Sequence, residues 1–432
     1  MKSQNACLII AAVMVALVSA RPGHAQPRAA AGEFTVDELV ARALAENPDL
    51  RASRAEVEAA RGRLRQAALR PNPMLELGGQ KNVTGPDNNA MVGVTLPLDL
   101  NRRKEGRVGV AERELEMKGA QAADRERRLT AEVRMKAADV LGARRDLQVT
   151  DDLLRANREA LGLIGERARR GAAPPLEESL QSVEVNRLEA RRRLLEGQVE
   201  IFGFQLRVLA ALPSDAPLLV QGDLTSPPPM LDRASGVARA LERRADLQVA
   251  RADAAAARAR ILKEQAEGRW DASINVNYQR QDFGYNLNGL TDRGGTRPIQ
   301  DVFHYFGGGV TITLPVRNQN QGNIAAAKAE AVAAERRVEL AELTVRQEVE
   351  SAFTQHEAAQ RALEIYARGV RDVARQNLDV VRKTYEFGRA TLLDVVAEQR
   401  RYIEIEMGYT EALKQVYNAA VDIERAVGTT TQ

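Results

Sequence analysis

The chain has 432 residues, enough for about two or three globular domains, but only 4% of them are aromatic and 28% are charged. The 62 basic and 59 acidic side chains alternate along the sequence and leave a net charge of +3, so no basic face for nucleic acid is expected. This composition is typical of long solvated helices whose narrow apolar stripes face other helices.

The first predicted element is an export signal at residues 1–25. Lys2 precedes an unbroken run of apolar and small residues at 7–20, and Gly23-His24-Ala25 has the small residues of a cleavage site. A lipoprotein cysteine would follow the apolar run, whereas Cys7 opens it, so we expect no acylation. The mature chain would then contain no cysteine, which excludes disulfides and thiolate metal ligands.

The rest of the sequence contains an internal duplication. Three landmarks recur in the same order: helix starts at Asp49 and Asp246, Thr-Leu-Pro segments ending at Pro97 and Pro315, and helix breaks at Gly171 and Gly388. The offset grows from about 197 residues at the helix starts to about 218 at the Thr-Leu-Pro segments, so the second copy carries an insertion of about 21 residues. Because insertions collect in loops, we expect the second hairpin to have the longer loop.

The first copy covers residues 26–212. A short helix is predicted to begin at Thr35, where Thr35-Val36-Asp37-Glu38 has the sequence of a capping box. Two strands follow at about 74–82 and 90–97, then a helix of roughly 100 Å over residues 101–170 and a return helix over residues 176–212. A Pro-rich linker at 213–231 joins the copies and is expected to pack against the helices.

The second copy covers residues 232–432 and repeats this order. Its strands are predicted at about 270–282 and 303–315, with a polar loop rich in Gly and Asn over residues 284–301. Its long helix is predicted over about 323–387 and its return helix over about 392–427. Helices this long bury their apolar stripes only against one another, so the predicted fold is mainly α, with antiparallel coiled-coil hairpins.

The predicted strands alternate between an apolar and a small polar face. After Trp270 the apolar set is Ala272, Ile274, Val276 and Tyr278, and the polar set is Ser273, Asn275, Asn277 and Gln279. A transmembrane β-barrel with a water-filled lumen has this pattern, and a soluble sheet packed on one side is the alternative. Four strands cannot close a barrel and an open edge cannot face lipid, so the barrel must be shared between chains.

The aromatic residues favour the membrane interpretation. Seven of the aromatic residues, which comprise 8 Phe, 8 Tyr and 1 Trp, lie between Trp270 and Phe306. We interpret them as an interfacial girdle near the strand ends, in contact with outer-membrane lipid. The girdle candidates are Trp270, Tyr278, Phe303, Tyr305 and Phe306.

Taken together, these segments resemble the TolC family of outer-membrane efflux proteins over nearly the whole mature chain. The resemblance rests on Asn47-Pro48-Asp49-Leu50-Arg51, both Thr-Leu-Pro segments, Tyr385-Glu386-Phe387-Gly388 and Leu392-Leu393-Asp394-Val395-Val396, in this order and duplicated. It implies a homotrimer in which each chain adds four strands to a shared twelve-strand barrel above a helical tunnel. It also implies a periplasmic adaptor and an inner-membrane RND-type pump as partners, in a Gram-negative bacterium.

Within the family, the segment Arg317-Asn318-Gln319-Asn320-Gln321-Gly322-Asn323-Ile324 is similar to the cobalt–zinc–cadmium (CzcC-type) branch. This similarity implies heavy-metal cations as cargo, and organic drugs or polypeptides are the first alternative. The mature chain holds only His304 and His356 and no Cys, so we expect no metal site of its own. A soluble periplasmic coiled-coil scaffold or adaptor is the alternative of a different class, which the duplication and the hairpins oppose.

The resemblance also assigns gate candidates at the periplasmic tip. Asp394 matches an acid that constricts the tunnel mouth, and Ala397 stands where the family has a second acid, with Glu398 next to it. Glu177 and Glu178 occupy the equivalent region of the first copy. Three copies of Asp394 would favour cations, as charged rings do in pores. The alternative for each acid is a helix start stabilised by the macrodipole.

The candidates for adaptor docking are Gly171, Leu176, Gly388 and Leu393, with simple packing of the helical turns as the alternative. Asp37 and Glu38 are interpreted as a helix cap, not as a catalytic pair. His304 is expected at the interface or in a loop, and His356 on a helix face. We find no catalytic triad, phosphate loop or metal-ligand cluster, and therefore expect no enzyme activity and no cofactor.

Overall fold

The computed structural model describes residues 32–85, 87–227 and 232–428. The predicted export signal at 1–25 and the end of the predicted linker lie outside the described residues. The first copy contains β1 (Glu33–Thr35), α1 (Val36–Glu46), α2 (Pro48–Ala67), β2 (Met74–Lys81), β3 (Asn88–Pro97), α3 (Arg103–Arg169) and α4 (Pro175–Leu209). The linker holds β4 (Leu219–Gln221).

The second copy repeats the order with longer strands. It contains α5 (Arg233–Arg243), α6 (Ala245–Glu267), β5 (Asp271–Leu290), β6 (Thr296–Thr313), α7 (Gln321–Ile365), α8 (Arg371–Glu386) and α9 (Leu392–Val427). The helix predicted as continuous over 323–387 is interrupted by a π-turn at Tyr366–Val370, between α7 and α8. No helix among the described residues is both long and apolar enough to cross a membrane.

Side-chain caps explain where the first helices begin. The Thr35 hydroxyl accepts from the Glu38 amide at 3.2 Å, and the Glu38 carboxylate accepts from the Thr35 amide at 2.8 Å, so the predicted capping box is present. Asn47 caps α2 by accepting from the Asp49 amide at 3.0 Å, with Pro48 at the first helical position. The Asn47 side chain also donates to the Leu209 carbonyl at 2.9 Å, which ties α2 to the end of α4.

The two largest apolar cores lie one in each copy. In the first, Leu39, Leu129 and Leu206 bring α1, α3 and α4 together, and Val220 of β4 is buried among them. The linker strand is held there because β4 pairs in parallel with β1. In the second core, Leu247, Val349 and other buried residues bring α6, α7 and α9 together. The long coiled-coil hairpins therefore pack side by side around these cores.

The sheet joins the two copies edge to edge, with strand order β2-β3-β5-β6 and antiparallel neighbours throughout. Val94 lies opposite Val276, and Val276 lies opposite Gly308. Directly opposite residues share a face, so the predicted apolar and polar faces are continuous across the four strands. Among the described residues, β2 and β6 form the two edges of the sheet.

The second hairpin differs from its prediction. We expected strands over about 270–282 and 303–315 and a long polar loop between them, but β5 runs to Leu290 and β6 begins at Thr296. The insertion therefore lengthens the strands, and the turn between them is short. Gly and Asn have low β-propensity, which made this stretch look like a loop, but cross-strand pairing overrides that preference.

Candidate functional site

The two helical hairpins end in turns of the same geometry. Gly171 and Gly388 both have φ of +71°, a left-handed conformation that favours glycine. In the first turn the Ala172 amide donates to the Arg167 carbonyl at 2.8 Å, and in the second the Arg389 amide donates to the Thr384 carbonyl at 3.0 Å. Both are helix-ending Schellman bonds. We call these turns, with the adjoining ends of α3, α4, α8 and α9, the tip.

Asp394 caps the start of α9 and is exposed in the single chain. Its carboxylate accepts from the Thr391 amide at 2.8 Å and from the Thr391 hydroxyl at 2.7 Å. These hydrogen bonds from Thr391 hold the pKa of Asp394 below its usual range. The capping role that we weighed as the alternative is therefore present, and the carboxylate remains exposed in the single chain.

The other three gate candidates lie in different settings. Glu398 is buried, and its carboxylate accepts from Arg401 at 2.8 Å. Glu178 is exposed and lies over Gly165 of α3. Glu177 is half-buried and accepts from the Tyr385 hydroxyl at 2.8 Å. Asp394 and Glu178 are thus the exposed candidates, while Glu177 joins the two hairpins.

Tyr385 lies at the tip, in a segment that carries the family resemblance, but the sequence indicated no role for it. Its ring packs against the cluster of Ile164, Leu392 and Val396, which bridges α3 and α9. Burial, together with the hydrogen bond to Glu177, raises the pKa of Tyr385 from 10.0 to about 12. The contact joins residues 208 positions apart, and no local pattern in the sequence could have indicated the pair.

The tip also exposes apolar side chains in equivalent places. Leu176 and Leu393 are each the second residue of a helix that follows a turn, and they are 66% and 59% exposed. Phe387, directly before Gly388, is 79% exposed. Large apolar side chains that are exposed together mark surfaces of interaction. The glycine and leucine candidates therefore lie together on one accessible end of the molecule.

Above the tip, buried acids on α4 and α9 pair with arginines of neighbouring helices. Arg400 donates to Glu184 at 2.9 Å, and Arg371 donates to Glu406 at 2.7 Å. Arg145 lies 3.6 Å from Glu406, and its guanidinium and that of Arg371 lie over the ring of Tyr409. These pairs stack along α9 and connect it to α3, α4 and α8. Sequence reasoning treated such charges as solvated faces.

The apolar face of the sheet carries part of the predicted aromatic girdle. Tyr278 and Phe306 lie opposite each other with ring centroids 5.0 Å apart, and the Tyr278 hydroxyl lies 2.7 Å from His304 Nδ1. Trp270 lies at the other end of the sheet, directly before β5, and is 44% exposed. Aromatics at both ends of an apolar face suit the two interfaces of a membrane.

Phe303 and Tyr305 lie on the other face. Tyr305 lies opposite Gln279, and Phe303 lies opposite Gln281, so both rings share the face that carries Asn277. Phe303 and Tyr305 therefore do not belong to the predicted girdle on the apolar face. The predicted strand at about 303–315 already placed odd and even residues on opposite faces, but the girdle interpretation grouped the aromatic residues only by their position along the strand.

His304 and His356 belong to no metal-ligand cluster in the part of the chain that the structure describes. Within residues 32–85, 87–227 and 232–428, no three His, Cys, Asp or Glu side chains lie together in a way that could hold a metal ion. His356 is buried on α7, and burial lowers its pKa.

The sequence and the fold each match known proteins. The profile of a family described as outer membrane efflux protein matches residues 39–211 and 236–429, one segment in each copy. The cobalt-zinc-cadmium resistance protein CzcC of Cupriavidus metallidurans is 24% identical over 410 residues, which are 93% of this chain and 92% of that protein.

Two solved structures share the fold. A membrane protein from Pseudomonas aeruginosa superposes with a TM-score of 0.76 at 23% identity, covering 91% of this chain and 93% of that one. CusC, whose crystal structures concern transmembrane channel formation, superposes with a TM-score of 0.74 at 16% identity, covering 91% of this chain and 92% of that one.

Proposed function

The chain belongs to the outer membrane efflux protein family, and we propose that three copies form one efflux channel that a periplasmic adaptor connects to an inner-membrane RND-type pump. The observation that supports the trimer is the four-stranded sheet with edges at β2 and β6. A sheet edge cannot face lipid, and known membrane barrels need about eight strands or more. Three chains supply twelve strands and pair every edge.

The tip is the proposed periplasmic entrance. Three copies of Asp394 form an acidic ring that favours cations, while Glu177 and Tyr385 hold the two hairpins of each chain together. Glu178 adds exposed charge beside the ring, and the buried Glu398 supports α9 from within. Leu176, Leu393 and the turns at Gly171 and Gly388 form the surface that meets the adaptor.

Heavy-metal cations are the proposed cargo, because CzcC is named for resistance to cobalt, zinc and cadmium. The polar face of the sheet suits a passive duct for hydrated ions. It carries amides and glycines such as Asn275, Asn277, Gly307 and Gly309. Such a lining offers hydrogen bonds to hydrated cargo without binding it tightly, and the pump supplies the energy.

The test expresses the full chain in a bacterium with two membranes, separates the membranes, and compares unheated and heated samples on a denaturing gel. We expect a heat-sensitive species of about three times the chain mass in the outer membrane. A monomer in the soluble periplasm contradicts the channel and favours a coiled-coil scaffold.

A deletion strain is then tested with zinc, cadmium and cobalt salts and with an organic dye. Sensitivity to the dye alone contradicts the metal cargo.

A further inference from the structure

The second hairpin extends beyond the four-stranded sheet as a two-stranded ribbon. Pairing between β3 and β5 ends at Asn88 and Asp282, whereas β5 and β6 stay paired as far as Leu290 and Thr296. The Gly284 amide donates to the Asp87 carboxylate at 2.9 Å, which satisfies this amide where β3 stops. At about 3.3 Å per residue, residues 283–301 extend about 25 Å past this point. We call them the exit ribbon.

The polarity of the sheet inverts where the exit ribbon begins. Nearer the helices, the face with Asn275 and Asn277 is polar, and the opposite face is apolar. On the exit ribbon, the continuation of the polar face carries Phe283, Tyr285 and Ile299, directly after Phe303 and Tyr305. The same face also carries two charged residues, Asp301 opposite Phe283 and Arg297 near the turn. The opposite face carries mainly small or polar residues, namely Gly284, Asn288, Pro298 and Gln300, with Leu290 beside the turn as the apolar exception. The aromatic row therefore lies on the lumen side of the proposed barrel.

The aromatic row is a continuous surface. The rings of Phe283 and Phe303 meet edge to face with centroids 5.9 Å apart, and those of Phe303 and Tyr305 stack with centroids 6.5 Å apart. The row lines a groove of about 570 Å³. In the single chain, Tyr285 is 66% exposed and the other three rings are 40–46% exposed. An apolar row of this length marks a contact surface.

The cover for this row is another copy of the chain. Membrane lipid lies against the opposite face of the sheet, so lipid cannot cover a row on the lumen side. A two-stranded ribbon is only marginally stable alone in water and needs a packing partner. The edge strand β6, which pairs with the neighbouring chain in the proposed barrel, runs directly into the exit ribbon. The neighbouring chains thus hold identical rows around one axis.

We propose that the three exit ribbons lean together over the channel mouth and that their aromatic rows form an apolar constriction at the extracellular exit. This inference rests on the proposed trimeric channel. A hydrophobic constriction resists the passage of hydrated solutes because water leaves it readily. The channel then carries two barriers of different chemistry, an acidic one at the tip and an aromatic one at the exit.

The first test measures access to the lumen from outside intact cells. The reporter is Thr311→Cys, on the polar face below the exit ribbon, in a mature chain that is otherwise predicted to lack cysteine. The thiol is treated in separate samples with a small maleimide and with a maleimide attached to a bulky polyethylene glycol. The small reagent should label the reporter in every background, and the bulky reagent should be excluded from the otherwise unmodified chain.

The test variant is F283S/Y285S/F303S, and the control with opposite-face substitutions is P298S/Q300S/V302S. Removing the row should make labelling by the bulky reagent at least about tenfold faster, whereas the control should leave it unchanged. Rapid labelling by the bulky reagent without any ribbon substitution overturns the constriction. Equal exclusion from both variants overturns it as well.

The second test does not depend on how the triple variant folds. Single cysteines are placed at Tyr285, on the aromatic row, and at Asn288, on the opposite face. Mild oxidation should yield covalent dimers for Tyr285→Cys and none for Asn288→Cys. Unheated gels are run in parallel. Absence of a trimer contradicts the proposed channel, whereas an intact trimer without the Tyr285→Cys crosslink contradicts only the exit constriction.

Discussion

At the scale of single residues, two acids of the tip have different roles. Asp394 is exposed, and its carboxylate accepts two hydrogen bonds from Thr391 of the same turn. The Glu177 carboxylate instead accepts a hydrogen bond from Tyr385 of the other hairpin. The two acids were equivalent in the sequence, since each lies near the start of a helix that follows a glycine turn. Their partners differ because Tyr385 reaches across from the second hairpin to the first.

Replacing Tyr385 with Phe tests the contact between the hairpins. The ring can still pack against Ile164 and Leu392, but the hydrogen bond to Glu177 is lost, at a cost of about 1 kcal/mol. We expect a larger single-channel conductance in planar bilayers. Glu177→Ala should resemble Tyr385→Phe, and Glu339→Gln, at an exposed position of α7 away from the tip, is the control. Equal conductance in all four proteins would contradict a role in holding the entrance.

The same contact predicts a pH dependence. The folded-state pKa of Tyr385, about 12, lies above its ordinary value of 10.0. The contribution of the protonated hydroxyl to stability is therefore present below pH 10.0 and is lost as the pH rises through about 12. We therefore expect the single-channel conductance of the unmodified channel to increase as the pH rises from 10.0 to about 12. The increase should be smaller in Tyr385→Phe, which lacks the hydroxyl.

Asp394 can be tested separately as a charge and as a cap. Asp394→Asn removes the charge, while Thr391→Ala removes the cap and leaves the carboxylate. The ring predicts that only Asp394→Asn lowers the cation-to-anion permeability ratio, by about twofold or more. Because the hydrogen bonds from Thr391 lower the pKa of Asp394, the cation preference should persist to a lower pH in the unmodified channel than in Thr391→Ala. An equal loss in both variants would instead favour a purely capping role.

At the scale of elements, the long helix of the second copy is divided by its π-turn. Gly408 of α9 lies against the ring of Tyr366, and a Cβ on Gly408 would come within 2.7 Å of the tyrosine hydroxyl. One turn on, Arg371 pairs with Glu406 at 2.7 Å. The inserted residue of a π-turn shifts the helix register, and here the π-turn carries the Tyr366 ring that contacts Gly408.

Gly408→Ala tests this close approach. The added methyl group should force Tyr366 to move and destabilise the hairpin by about 1–3 kcal/mol, as overpacking does. Samples are heated in steps before the gel is run, and we expect the trimer of the variant to dissociate at a lower temperature than the unmodified trimer. Adding Tyr366→Ala should relieve the clash, so the double variant should lose less than the sum of the two single variants. Strict additivity would show that the two residues do not interact.

At the scale of the whole molecule, the sheet must present one face to lipid and the other to water. Val310 and Thr311 are consecutive residues of β6, so their side chains lie on opposite faces of the sheet, and both are exposed in the single chain. Val310 lies on the apolar face with Ile274, and Thr311 lies on the polar face with Ser273. This pair of adjacent residues tests the orientation of the whole sheet in the membrane.

An arginine at each position should give opposite results. Val310→Arg places a charge against lipid, at a cost of about 2–4 kcal/mol per chain near the bilayer centre. Its yield of heat-sensitive trimer in the outer membrane should fall sharply. Thr311→Arg faces the lumen and should assemble at nearly the unmodified level. Equal yields would mean that the sheet does not span the membrane as proposed.

Much of this protein could be derived from its sequence, because the signals are periodic and local. The duplication, the capping box at Thr35 and the two-residue alternation each occupy a few consecutive turns or strands, and the expected membership in the outer-membrane efflux family is confirmed. The mainly helical fold with one strand pair per copy follows from the same patterns. Such features depend on neighbouring residues and hardly on distant ones.

Only the tertiary structure decided which distant residues meet. Tyr385 donates to Glu177 and Arg400 donates to Glu184, and each pair is separated by more than 200 positions in the sequence. Glu184, whose charge was expected on a solvated helix, is buried in its ion pair. The extension of β5 and β6 turned a predicted loop into the exit ribbon and placed Phe283 and Tyr285 on the same face as Phe303. These outcomes depend on strand register and helix packing, and the free energies that set them come from contacts between segments far apart in the chain.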